Sequence, residues 1–189
     1  MSRLGPDRVE KWLARANEQY ADELTLPFVR TLGDEMQALT SSPEALVGII
    51  REAVQDKGWW LGVGIGEVEE PLGYSSRESR GEAFWLARTA LEKAKSQRAV
   101  RPFVLRSHSP ETVDALAACL HALSFLVLRR TARQTEVADA RRDGMSVGEI
   151  AERRSVTVQG VYELLQAAGV EEEAELGRLA VQLAGAALV

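Results

Sequence analysis

The stretch "WWLGVGIG", residues 59–66, constrains the fold of this chain more than any other. Leu61, Val63 and Ile65 alternate strictly with Gly62, Gly64 and Gly66, which is the two-residue period of a β-strand. One face of that strand is apolar and the other has no side chains. A bare face invites close approach, so either a helix backbone packs there or a flat ligand lies there. A dinucleotide-binding G-x-G-x-x-G turn does not fit, because that spacing requires glycine where Glu67 stands.

The rest of the chain supplies partners for such a strand. Val9, Trp12, Leu13, Ala16 and Tyr20 recur at helical spacing. "LPFVRTL" and "EMQALT" flank Gly33-Asp34, which predicts a hairpin, since glycine reaches positive φ cheaply as the first of two loop residues. Ser42-Pro43 starts a helix whose pairs Ala45/Leu46, Ile49/Ile50 and Ala53/Val54 mark one buried face. After the glycine strand, Glu69 to Arg80 reads as a long functional or mobile loop. Ala83, Leu86/Ala87, Ala90/Leu91 and Ala94 give a further helix, "PFVLR" a short strand, and Ser109-Pro110 another helix start. Only helices are expected beyond that point. The order predicts an α+β unit over 1–108 followed by an all-α unit over 109–189.

Composition narrows the setting. A chain of 189 residues with 46% apolar content is long enough for one ordinary core and a second small unit. The single cysteine, Cys119, falls in an apolar helical pattern, so it reads as a packing residue and the chain as cytoplasmic. The longest late apolar run, Leu179 to Val189, is short of the roughly 20 residues a membrane span requires, so no membrane partner is expected. A net charge of -5 argues against broad attraction to nucleic acid, so any DNA contact must be a local patch. The acidic "EEEAE" at Glu171 to Glu175 most simply supplies negative charge to the first turn of the last helix. His108 and His121 lack partners at zinc spacing, and Trp12, Trp59, Trp60 and Trp85 read as core or interface anchors.

"RTLGDEMQAL", a helix, "LGVGIGEVE", a loop and "RGEAFWLARTALEKAK" follow one another in an order that resembles the SatD family of bacterial proteins. The amino-terminal part of that family looks like the palm domain of class III nucleotide cyclases and GGDEF proteins, a ferredoxin-like α+β fold. The resemblance runs from about Arg8 to Lys95 and resumes in the carboxyl-terminal helices. It implies that Asp34 is a hairpin metal ligand and Glu35 the acidic residue after it, together holding Mg²⁺ or Mn²⁺ against phosphates. Read by spacing alone, the same pair is a solvated turn. The resemblance further implies that Arg88 is available to the phosphate of a nucleotide ligand, whereas the ribose-binding Asn of the cyclases is absent. The resemblance also leads one to expect an Asp-containing strand just before the first helix, where Ser2-Arg3 stands, so either the start is truncated relative to its relatives or the strand is lost.

"SVGEIAERRSVTVQGVYELL", Ser146 to Leu165, has the residue types of a helix-turn-helix. Ala151, Val156, Val161 and Leu164 are the buried small and aliphatic positions, and Gly144 ends the preceding helix. This resembles the helix-turn-helix at the end of SatD-like proteins and in sigma-factor-like regulators. The second helix then presents Thr157, Val158, Gln159, Tyr162 and Glu163 outward: Gln159 suits adenine, Thr157 phosphate or base, and Val158 a thymine methyl. Arg153 and Arg154 supply phosphate contacts, with Arg129, Arg130 and Arg133 as additions. Ser155 replaces the usual turn glycine, Gly160 weakens the helix by about 1 kcal/mol relative to alanine, and Glu163 would face a polyanion unfavourably.

The expected function is a regulatory DNA-binding protein, acting as a homodimer, whose degenerate cyclase-like unit senses a nucleotide. Two alternatives stand beside it. One is a metal-dependent nucleotidyl cyclase or phosphotransferase with a truncated start, and the other a helix-turn-helix interaction module.

Overall fold

The computed structural model describes residues 6–96, 103–108 and 110–188. Ser2-Arg3 and the helix start expected at Ser109 lie outside the described residues. The elements run α1 (Pro6–Gln19), β1 (Leu24–Arg30), β2 (Met36–Thr40), α2 (Pro43–Asp56), β3 (Leu61–Ile65), α3 (Glu82–Ser96) and β4 (Phe103–Ser107). Five helices follow: α4 (Pro110–Arg129), α5 (Ala132–Arg142), α6 (Val147–Arg154), α7 (Val158–Ala167) and α8 (Val170–Ala187). The chain is α+β, in the element order its periodicities predict.

Local chemistry accounts for several boundaries. Ser42 Oγ accepts from Ala45 N at 3.0 Å, and Pro43 occupies a first-turn position where no amide hydrogen is needed. Pro27 cannot donate to a strand ladder, and of the two register shifts of β1 against β2 the one between Leu26 and Val29 contains it, the other lying just before, between Leu24 and Leu26. β1 and β2 form an antiparallel hairpin, while β3 and β4 pair in parallel with Leu61 opposite Phe103 and Ile65 opposite Ser107. These are two separate two-stranded sheets, and among the described residues no strand joins them.

The bare face of β3 is taken by α3. A Cβ at Gly62 would collide with Ala87 O and Leu91 N and stand 2.7 Å from Leu91 Cα, and one at Gly64 would collide with Ala83 O and Ala87 N. Of the two occupants the sequence allowed, the helix backbone is the one present. The opposite face points Leu61, Val63 and Ile65 into the main core, where they meet Ile50 and Val54 of α2, Phe103 of β4, Leu116 and Leu120 of α4, and Ala180 and Ala184 of α8. Helices from both sides of the 108/109 boundary therefore build one core. A second cluster, Trp12, Ala16 and Ala53, seats α1 and the hairpin through Phe28, Met36 and Trp59. A third stands apart: Val137, Ile150, Ala151 and Val161 hold α5, α6 and α7 to one another. No helix of the described residues is long and apolar enough to cross a membrane.

Candidate functional site

The hairpin tip turns where its glycine lies. Gly33 has φ +61°, Leu32 O accepts from Glu35 N at 2.9 Å, and Asp34 is the second central residue of the turn. Glu35 is not a free ligand, because Lys95 Nζ in the last turn of α3 stands 2.6 Å from its Oε1. Arg88 lies two turns earlier on the same helix, about 10 Å along its axis, exposed and beside Glu92 at 3.8 Å. Among the described residues no three His, Cys, Asp or Glu side chains gather as a metal site would require. Lys95 engages one of the two expected donors, and a cation at this tip would have to displace it.

The long loop before α3 is anchored. Ser76 is buried and exchanges hydrogen bonds with Gln37 of β2, Oγ to Gln37 O at 2.9 Å and Gln37 Nε2 to Ser76 O at 3.0 Å. Glu69 N donates to Arg80 O at 2.9 Å and closes its base. Two open concavities of about 420 and 410 Å³ flank α1 and β1, and neither is lined by Asp34, Glu35 or Arg88.

Residues 146–165 form α6 and α7 joined by a tight turn. Ser146 and Glu149 make a reciprocal capping box at the start of α6. Ser155 ends α6 in the left-handed conformation, φ 53° and ψ 44°, the backbone geometry for which glycine is the usual residue. Thr157 caps α7: its Oγ1 accepts from Gly160 N at 3.0 Å. The turn pivots on Ala151 and Val161, both buried, with Leu164 packed beside them. Val156, expected in the core, is 44% exposed instead, because the turn swings it outward past Ala151 O, which accepts its amide at 3.1 Å.

α7 therefore buries one edge and shows another. Thr157, Val158, Gln159, Tyr162 and Glu163 are exposed. Gln159 Nε2 donates to Glu163 Oε1 at 3.2 Å, so the amide and the carboxylate form one polar pair on this surface. Arg153 reaches Met145 Sδ at 3.5 Å, and Arg154 forms an ion pair with Glu136 of α5. Arg133 is exposed, and Arg129 lies over the Phe125 ring at 5.8 Å.

Arg130 is a correction. It is not a surface cation but a buried one, whose Nε donates to Ala168 O at 2.9 Å and whose Nη2 stands 2.6 Å from Glu173 Oε2. Glu173 does lie in the first turn of α8, as the acidic run predicts, but it is also the buried counter-ion of Arg130 and of Arg51 in α2. Burial raises the Glu173 carboxyl, and the guanidinium groups of Arg51 and Arg130 outweigh it and leave the group below the usual carboxylate range. Burial lowers the Arg51 guanidinium, with Glu173 opposing. One signal was available in the sequence: Arg51 falls at helical spacing between Val47 and Val54, inside the apolar stripe of α2.

No curated protein and no solved structure matches the chain. The family model of the SatD family matches residues 5–169, which spans α1 to the end of α7 and covers both the anchored hairpin and the exposed helix. The chain belongs to the SatD family.

Proposed function

We propose that this protein is a DNA-binding regulator whose α6–α7 unit is a helix-turn-helix and whose α7 is read against the major groove. The observation that carries the reading is the face of α7. Thr157, Val158, Gln159 and Tyr162 are exposed together, one helical turn long, beside Arg153 and Arg154. Gln159 matches the adenine edge, Val158 a thymine methyl, and the two arginines the phosphate backbone. The α+β unit supplies a scaffold of the cyclase-like palm type, with Arg88 available to a nucleotide phosphate. A homodimer would place two such helices on half-sites about one helical turn apart.

The test is binding to DNA flanking the protein's own gene, followed by fluorescence anisotropy across a salt series. Affinity is expected to fall steeply with salt, and Arg153→Ala to reduce the slope by about 1. Gln159→Ala is expected to cost about 1–3 kcal/mol at one base pair and relax the preference there. Absence of binding at low salt would remove the reading.

A second reading rests on charge. Between Thr131 and Gly169, carboxylates slightly outnumber arginines, and Val156, Val158 and Tyr162 are exposed apolar side chains. The same face then docks a protein, and salt-insensitive association in place of DNA binding would favour it.

A further inference from the structure

Lys, Arg, Asp and Glu are almost never fully buried unless paired, yet three charged side chains meet inside this molecule. Arg51 of α2, Arg130 just past α4, and Glu173 of α8 are 9%, 7% and 9% exposed. Arg51 Nε donates to one oxygen of Glu173, and Arg130 Nη2 pairs with the other at 2.6 Å. Arg130 Nε meanwhile holds Ala168 O, the carbonyl at the carboxyl end of α7, at 2.9 Å. Asp139 of α5 joins from the other side, accepting from Gln55 of α2 and from Arg142, both at 2.8 Å. Glu173 of α8 and Asp139 of α5 are thus tied to α2 by hydrogen bonds, and the end of α7 is tied to Arg130, which reaches α2 through Glu173.

Apolar packing does not make the same connection. The buried cluster of α5, α6 and α7 is separate from the main core. Apolar burial holds surfaces together without fixing their angle, whereas a guanidinium–carboxylate pair fixes both distance and direction. Nor is the arrangement fully satisfied. Arg51 Nη2 and both terminal nitrogens of Arg130 are buried without a hydrogen bond, so Arg130 meets Glu173 as an ion pair. An apolar set of similar shape is often as stable as a buried ion cluster, or more so.

We infer that Arg51, Arg130 and Glu173 are positioning residues that set the angle of α7 relative to α2, and so the direction in which Thr157, Gln159 and Tyr162 face. The cluster gives the three-helix unit one pose on the α+β unit. Its consequence for DNA rests on the reading above; the geometry itself does not.

The test uses the full chain with nitroxide labels at two exposed positions, Lys93→Cys on α3 and Gln166→Cys on α7, and reads their separation by pulsed electron paramagnetic resonance. The parent is expected to give one narrow distance distribution. Combining Arg51→Met, Arg130→Met and Glu173→Leu is expected to broaden or shift it, with an unchanged or higher thermal midpoint. DNA affinity is expected to fall about tenfold with an unchanged salt slope, since the phosphate contacts remain. Should that variant not fold, Glu173→Gln decides by the same distance measurement. An unaltered narrow distribution in the folded variant overturns the inference. Failure of the parent protein to bind DNA removes the DNA reading alone, because the distance is measured without DNA.

Discussion

Glu173 shows how one buried carboxylate couples stability to pH. Its folded value is depressed, so its contribution is present above the unfolded pKa, about 4.3 for a glutamate, and disappears as pH falls through the folded value. Removing the charge leaves two guanidinium groups uncompensated. Glu173→Gln is therefore expected to cost about 3 kcal/mol at neutral pH, and the gap from the parent to narrow as pH drops below about 4. Urea titrations at several pH values check this; a gap independent of pH would mean the carboxylate is not the titrating group. The residues themselves were partly legible. Arg51 interrupts an apolar stripe and so announces a buried charge, whereas its partner Glu173 lies 122 positions away, among neighbouring glutamates that read the same in the sequence.

At the scale of elements, local chemistry was the legible part. The alternating glycines of β3 required a close neighbour, and α3 supplies its backbone. Ser42-Pro43 and Ser146 start helices because each hydroxyl accepts an amide hydrogen three residues on. Thr157, a phosphate or base contact by its residue type, has its oxygen engaged as the cap of α7, a role that the local sequence allows equally. Ser155 is the strained position of the turn. Its left-handed backbone costs a residue with a Cβ roughly 1 kcal/mol relative to glycine, so Ser155→Gly is expected to raise the unfolding free energy by about that amount, read by thermal or chemical denaturation. A loss of stability would show that the serine side chain contributes more than its backbone costs.

Across the whole molecule, long-range organisation was the illegible part. Periodicity identifies α4 and α8 as amphipathic but carries no information on which core they enter, and both enter the one built by α2, β3 and β4. Residues 131–168 are consequently set between two helices of a single core. Arg130 and Ala168 touch across the base of this unit, so a linker of about six Gly/Ser residues spans the gap. Replacing residues 131–168 by such a linker is expected to leave a chain with a single cooperative thermal transition. Loss of cooperative unfolding would show that α5, α6 and α7 are needed by the remainder.

The contact between Arg130 and the Ala168 carbonyl also decides what kind of motion remains. A module hung from one tether wanders through a volume, but here the polypeptide goes out and comes back through the same doorway. Ends held at one place oppose such wandering, and Gln55 of α2, donating to Asp139 of α5 at 2.8 Å, opposes swivelling about the stalk as well.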